Sequence, residues 1–287
     1  MQAEPQKTWT VGDLVKWATD DFRARGIENP RLDAELLVAS ALHATRMQLI
    51  IDRERPVVGS ELAALRELVK RRRAREPIAY LLGEREFYGR KFKVDSRVLI
   101  PRPDTETLVE VGLERTRHAS MYARVLDLCT GSGCVAVTLA RQRPTTTVTG
   151  ADVSEAALAV ARDNALRLGA YNVAFVASDL FANVSGHFEL VTANPPYIPT
   201  PEIATLDPDI RSFEPHLALD GGERGLSLVE RIVADAPRFL VPGGVLAMEI
   251  GQGQSAAVAE LYRAAGFTDV RATKDYGGIE RVVSGVV

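Results

Sequence analysis

Apolar positions along this 287-residue chain change their period once. Up to about residue 82 they recur every three or four residues, the spacing of amphipathic helices. Thr10 and Asp13 make a capping pair ahead of Leu14, Val15, Trp17, Ala18 and Phe22, and Gly26 closes that helix. Pro30 takes a first-turn position before Leu32, Leu36, Leu37 and Leu42. Ser60 is expected to cap a third helix with Leu62, Leu65 and Leu68 on one face, ending in the cationic run Lys70 to Arg75. Alternating runs on either side of Tyr88-Gly89 predict a β-hairpin. From Arg124 onward, short apolar runs alternate with helical patterns, as in a doubly wound parallel sheet. The expected strands are 124–128, 148–152, 173–177, 188–193 and 245–250, the last following a Pro242-Gly243-Gly244 turn. Helices are expected at 135–141, from the Ser154 cap to 168, at 226–240 and at 254–265, and 268–273 with 279–283 as a closing antiparallel pair. The fold class is α/β: a mostly parallel seven-stranded sheet with an antiparallel end, plus a small N-terminal helical bundle joined by a β-hairpin linker.

Composition narrows the picture. Apolar content of 46% and charged content of 25% are ordinary for a soluble globular protein. No apolar run approaches the roughly 20 residues of a membrane span, and the start, MQAEPQKTWT, has no apolar signal core. Cys129 and Cys134, the two cysteines, form no CxxC pair, and the four histidines make no metal pattern. They read as core thiols in a reducing compartment, so the expected location is cytoplasmic. Residues 1–80 carry a net charge of +2 and the remainder −5, which argues against a general nucleic-acid coat.

The chemistry converges on Asn194-Pro195-Pro196-Tyr197, which follows the apolar run 188–193. Two prolines cannot continue a strand, so these residues form a stiff loop at its carboxyl end, where ligands bind in open α/β sheets. Asn194 offers a side-chain carbonyl and Pro195 a backbone carbonyl, and two adjacent acceptors match a planar NH2 on an sp2 carbon. Tyr197 can cover the face of such a group. A second constellation is the turn Cys129-Thr130-Gly131-Ser132-Gly133, whose glycines admit a ligand close to the backbone. Asp152 ends the next strand and can accept ribose hydroxyls; Asp127 precedes the turn. Asp179-Leu180-Phe181 can offer an acceptor to an adenine amino group and an apolar cover to its ring. The same features fit a dinucleotide fold, but the third glycine of that fingerprint is replaced by Ala136.

The NPPY stretch resembles the motif of S-adenosylmethionine-dependent methyltransferases that act on planar nitrogens. Further stretches extend the likeness from residue 83 to the C-terminus: GEREFYGRKFKV, LIPRPDTE, DLCTGSGC, ADVS, SDLF, EPHLALDGGERGL, LVPGGVLAMEIGQGQ and DYGGIERVV. Together they resemble the bacterial release-factor glutamine methyltransferases. The resemblance implies a Rossmann-like class I methyltransferase sheet and the cofactor S-adenosyl-L-methionine, with S-adenosyl-L-homocysteine as product. It assigns cofactor binding to Cys129, Thr130, Gly131, Ser132, Gly133, Asp152, Asp179, Leu180 and Asn194. Asn194, Pro195, Pro196 and Tyr197 take the substrate, with Asn194, Pro195 and Tyr197 catalytic. Leu180 departs from the aromatic residue that some relatives have at this place, and Cys129 from a glycine that is common at its place.

The reaction implied is methyl transfer to the side-chain amide nitrogen of the glutamine in the Gly-Gly-Gln loop of peptide chain release factors, which tunes translation termination. No metal, membrane or nucleic acid is expected. The corresponding division is 1–82 as a substrate-recognition domain, 83–117 as hairpin and linker, and 118–287 as the methyltransferase domain. The alternatives are an amino methyltransferase acting on nucleic acid or on a ribosomal-protein glutamine, a catalytically silent cofactor-binding module, and a dehydrogenase.

Overall fold

The structure, a computed structural model, describes residues 8–287; the first seven residues of the polar N-terminal stretch lie outside the described residues. The chain divides into two compact units, Met1–Gly83 and Glu84–Val287. No helix among the described residues is long and apolar enough to cross a membrane.

The first unit holds α1 (Val11–Ala24), α2 (Pro30–Ala41), α3 (Arg46–Ile51), α4 (Gly59–Arg73) and α5 (Ile78–Leu82). The Thr10 hydroxyl accepts the Asp13 N–H, and the Asp13 carboxylate accepts the Thr10 N–H, so α1 starts in the expected capping box. Leu14, Phe22, Leu37, Val38 and Leu65 form the unit's core. Three details differ from the sequence expectation. α2 turns Ala34, Leu37, Val38 and Ala41 inward and leaves Leu32 exposed, because the buried stripe includes small alanines that a count of leucines passes over. α4 begins at Gly59, with the Glu61 carboxylate accepting the Val58 N–H at 3.0 Å, so Ser60 lies inside the first turn instead of capping it. α3 is additional: Thr45 and Gln48 cap it reciprocally, but its six residues are too few to show a period.

The second unit opens with the hairpin β1 (Glu84–Phe87) and β2 (Arg90–Lys93). Tyr88 and Gly89 both have positive φ, as a tight two-residue hairpin turn requires. There follow α6 (Glu106–Arg115), β3 (Arg124–Leu128), α7 (Cys134–Gln142), β4 (Thr147–Asp152), α8 (Glu155–Arg167), β5 (Val173–Ala177) and β6 (Phe188–Ala193). The chain continues through α9 (Thr200–Ile203), α10 (Pro208–Phe213), α11 (Ser227–Asp235), β7 (Leu240–Glu249), α12 (Ser255–Ala264), β8 (Thr268–Lys274) and β9 (Glu280–Val286). The seven-stranded sheet runs β5-β4-β3-β6-β7-β9-β8, parallel through β7 and antiparallel in its last two pairings.

Two boundaries are corrected here. Pro242 to Gly244 do not separate a helix from a strand; they bulge within β7, which already pairs with Phe188 at Leu240 and resumes pairing at Val245. The expected helix 226–240 ends at Asp235, and the chain passes into a short 3-10 turn, Ala236–Arg238, that Pro237 helps to break.

Sheet order positions the site. The chain builds β3, β4 and β5 outward in one direction and then returns to place β6 on the other side of β3. The carboxyl ends of β3 and β6 therefore flank the point where strand order reverses, the general ligand position in such sheets. Leu128 is level with Ala193 across that boundary. The glycine turn and the Asn194 loop thus leave the sheet side by side.

Candidate active site

A cleft of about 360 Å3 opens at this point. Its floor is the turn after β3. Cys129 has φ +54° and Gly131 φ +53°, and the only atom that an added Cβ on Gly131 would approach is the Cys129 carbonyl at 3.9 Å, so the turn leaves its backbone open to a ligand. Gly131 N–H donates to Asp152 Oδ2 at 2.8 Å, and Ser154 N–H donates to Oδ1 at 2.9 Å. Asp152 thereby ties the turn to the start of α8, and burial raises its pKa. Asp127 lies in β3 with both oxygens engaged, by Thr130 Oγ1 at 2.6 Å and Thr192 Oγ1 at 2.7 Å. Burial pushes its carboxyl up to about 6. Ser132 lines the cleft while its carbonyl accepts from Asn164 Nδ2 at 2.9 Å.

Gly133 does not line the cleft. Its φ of +78° turns the chain into α7, and an added Cβ would stand 3.1 Å from the Ala161 Cβ and 3.5 Å from Phe175. The second glycine therefore serves close packing of α7 on α8.

The segment after β5 is rearranged relative to expectation. Leu180 lines the cleft with φ +50°, an uncommon conformation for a branched side chain. Asp179 sits at the rim, with Oδ2 accepting from Arg231 Nη2 at 2.8 Å. Phe181, expected as an apolar cover beside Leu180, instead stacks on Phe239 at 4.5 Å inside the core. The positive φ at Leu180 reverses the chain there, so of the two apolar side chains Leu180 faces the ligand space and Phe181 does not.

The opposite wall is the loop after β6. Asn194 and Pro196 line the cleft; Pro195 is buried and Tyr197 is half-buried, and neither lines it. Asn194 Nδ2 donates to Thr105 Oγ1 at 3.3 Å, which leaves Oδ1 as the free acceptor of the amide. The Tyr197 hydroxyl donates to Glu249 Oε1 at 3.2 Å, and the buried Tyr197 phenol has its pKa raised. The loop is held from behind: Gln254 Nε2 donates to the Tyr197 carbonyl at 3.0 Å, and an added Cβ on Gly221 or Gly225 would strike the Tyr197 backbone at 2.8 or 2.3 Å. Tyr197 thus acts within the wall; it does not cover a planar group in the cleft.

Comparison with known proteins now decides the family. A release factor glutamine methyltransferase of Geobacter sulfurreducens is 43% identical over 98% of this chain and 98% of that protein. One from Chlorobaculum tepidum is 42% identical over 97% of this chain and 98% of its own length. The chain belongs to the release factor glutamine methyltransferase family. Residues 13–83 match the model of the PrmC N-terminal domain, and residues 105–205 that of the methyltransferase small domain. A methyltransferase from Pyrococcus furiosus, 17% identical, superposes with a TM-score of 0.51 over 70% of this chain and 90% of that one, which shows the shared fold.

The cleft of this methyltransferase family member suits a ligand that carries positive charge and no phosphate. Asp127 and Asp152 supply acidic groups around the glycine turn. The three arginines on its wall each have a carboxylate partner: Arg97 with Asp95, Arg102 with Glu214 and Arg231 with Asp179, at 2.6, 2.6 and 2.8 Å. Arg102 therefore braces the Pro101–Pro103 loop against the segment before Pro215. Three positions that hold the cleft together escaped sequence reasoning. Asn164 clasps the carbonyls of Ser132 and Lys93 and accepts the Lys93 N–H, tying the turn to β2. Thr105 lines the cleft and accepts from the Asn194 amide, and Glu249 stands behind them. Both fall in stretches that carried the resemblance, yet only pairing across the sheet could have joined them.

Proposed function

We propose that this chain transfers a methyl group from S-adenosyl-L-methionine to the side-chain amide nitrogen of the glutamine in the Gly-Gly-Gln loop of peptide chain release factors. The observation that carries the reading is the Asn194 amide: its nitrogen is tied to Thr105, and its oxygen is left beside the glycine turn as an acceptor for a planar NH2. The cofactor supplies an electrophilic methyl on a sulfonium. Asp152 fits the ribose hydroxyls through lone pairs not used by Gly131 and Ser154, Leu180 fits the adenine edge, and Asp127 balances positive charge above the turn. Cys129 to Ser132 present the backbone that a close-lying cofactor needs, with Gly133 shaping the turn.

An amide nitrogen is a weak nucleophile because its lone pair is delocalised into the carbonyl. Asn194 Oδ1 and the Pro195 carbonyl, which joins the buried Pro195 ring to the cleft-lining Pro196, accept its two N–H groups, return density to nitrogen and fix its direction. Positioning and preorganised electrostatics then supply most of the rate. The amide becomes acidic only as the methyl arrives, so its proton leaves late, to water or to Asn194. We also infer that the first unit recognises the body of the release factor, since two glycines and an amide offer far less than the ~1,600 Å2 of a standard specific interface. The test is incubation of the purified chain with a release factor and labelled cofactor, with mass spectrometry locating the methyl. Methyl on the Gly-Gly-Gln glutamine is expected; methyl elsewhere, or transfer only to nucleic acid, would overturn the proposal.

A further inference from the structure

Glu249 is the last residue of β7 and one of the most deeply buried acids of the second unit. Met248 is level with Ala193, so Glu249 comes up directly beside Asn194. Oε1 accepts the Tyr197 hydroxyl, and the Thr105 hydroxyl sits beside the carboxylate and favours its charged form. Oε2 has no close hydrogen-bond partner. Leaving a buried carboxylate oxygen unsatisfied is destabilising, so such a group is retained for a reason other than stability.

An ion pair is not that reason. Arg281, the neighbouring cation, bonds Asp275 at 3.1 Å and reaches Asp104 at 3.5 Å. Nor is contact with substrate the reason, because Glu249 does not line the cleft. Its neighbours are Tyr197, at the end of the Asn194 loop, and Thr105, which lines the cleft and bonds Asn194. An ionised carboxylate has no proton to give, so the Thr105 hydroxyl must turn its proton toward Glu249. Its oxygen is then an acceptor toward Asn194, and only the NH2 end of the Asn194 amide satisfies it. The carbonyl end is left for the cleft. With a neutral partner at position 249 this polarity is no longer imposed: Thr105 could donate to Asn194 Oδ1, and the amide would turn its NH2 outward, where it repels a substrate N–H.

We infer that Glu249 is a positioning residue that, through Thr105 and Tyr197, orients the Asn194 amide with its carbonyl toward the substrate. The inference rests on the proposed methyl transfer, and the experiment separates the two. Glu249→Gln, Thr105→Val and Thr105→Ser are compared with the full-length wild type on a release factor, by steady-state kinetics and by calorimetric titration of S-adenosylmethionine. Glu249→Gln and Thr105→Val should each lower kcat by about 10- to 100-fold, less than the ~100- to 1,000-fold that removing one preorganised donor outright costs. The cofactor Kd and the KM for the release factor should stay within about threefold, and Thr105→Ser, which keeps the hydroxyl, should recover most of kcat. Nitrogen-15 spectra of the Asn194 side-chain NH2 supply a readout independent of turnover: its resonances should shift in Glu249→Gln and Thr105→Val but not in Thr105→Ser. If Glu249→Gln fails to fold, the Thr105 pair carries the test. Unchanged kcat in Thr105→Val, or equal losses in Thr105→Val and Thr105→Ser, would overturn the inference. A wild type inactive on release factors would instead overturn the functional proposal, while the side-chain spectra would still decide the orientation.

Discussion

Asp33 in the first unit and Glu249 in the second are both buried acids, and they are kept in opposite ways. Asp33 Oδ2 accepts from the equally buried Arg72 at 2.7 Å, so α2 and α4 are clamped by a charge pair. Glu249 has hydroxyls for neighbours, and burial pushes its carboxyl up to about 7. Asp127, facing two threonine hydroxyls, follows the second pattern. The first unit cancels its buried charge internally and has none to offer a ligand. The second leaves acidic groups without guanidinium partners around one cleft, poised to orient neutral dipoles and to meet a cation. Under the proposed function, buried charge is structural where it is matched and serves the site where it is held by neutral donors.

The largest effect expected of a single side chain tests the functional half of that contrast. Asn194→Ala removes the acceptor that the Glu249 chain orients, and kcat should fall by about 1,000-fold or more while the cofactor Kd changes less than about threefold. Near-normal turnover in a coupled homocysteine-release assay would break the assignment. Arg72→Met tests the structural half. It removes the guanidinium bonded to the buried Asp33, a change worth about 3–5 kcal/mol, and should lower the unfolding midpoint of the first unit without changing S-adenosylmethionine affinity. Loss of cofactor binding in a variant whose second unit stays folded would contradict it.

Glu249→Gln sharpens the comparison through pH. The folded protein keeps a proton on Glu249 to about pH 7, whereas the unfolded chain releases it near 4.5. The wild type therefore loses stability as pH rises from about 4.5 to about 7, and this loss persists above pH 7. Glutamine removes the ionisation, so at pH 8 the variant should be more stable than the wild type, by at most about 3 kcal/mol, and less active. Activity of the wild type should fall as pH drops through about 7, when protonation of Glu249 ends the polarity imposed on Thr105; the other ionisable groups facing the carboxylate are Tyr197, Arg281 and Asp104. Equal stability of the two proteins in urea titrations at pH 8 would show that Glu249 is not the buried unpaired acid described.

Elements carried by local signals were legible in the chain. The Thr10–Asp13 box, the Tyr88-Gly89 turn and the Ser154 cap act over three residues, and the parallel strands announce themselves as apolar runs. Asn194 and the glycine turn were legible for the same reason. What remained hidden depends on the sheet closing. Thr105 precedes α6 and Glu249 ends β7, and only the insertion of β6 between β3 and β7 brings them together. Phe181 was misplaced because a positive φ at Leu180, which no sequence rule anticipates for leucine, sends the next side chain into the core. The cationic run Lys70 to Arg75 reads as a patch in sequence, yet Arg71, Arg72 and Arg73 are paired with Glu76, Asp33 and Asp21, residues that folding supplies.

That pairing also redirects the smallest expected effect. Were the first unit to recognise a release factor through charge, those arginines would be the natural contacts, but their carboxylate partners leave little net field to attract an acidic surface. The exposed apolar face lies elsewhere, on α3, where Met47, Ile50 and Ile51 are 65%, 71% and 73% exposed and share one side of a helix at i, i+3 and i+4 spacing. Exposed apolar side chains grouped in this way mark contact surfaces more often than isolated ones do. Under the proposed function, Ile50→Asp should raise the KM for an intact release factor by about 3- to 10-fold, the effect of about 0.7 to 1.4 kcal/mol lost at an interface rim. It should leave the kinetics on a short Gly-Gly-Gln peptide unchanged, because the peptide lacks the rest of the release factor. Arg71→Ala, which breaks only an exposed pair, should change neither. Equal increases on protein and peptide would mean that α3 supports the fold instead of the partner, and a larger effect from Arg71→Ala than from Ile50→Asp would return recognition to the charged end of α4.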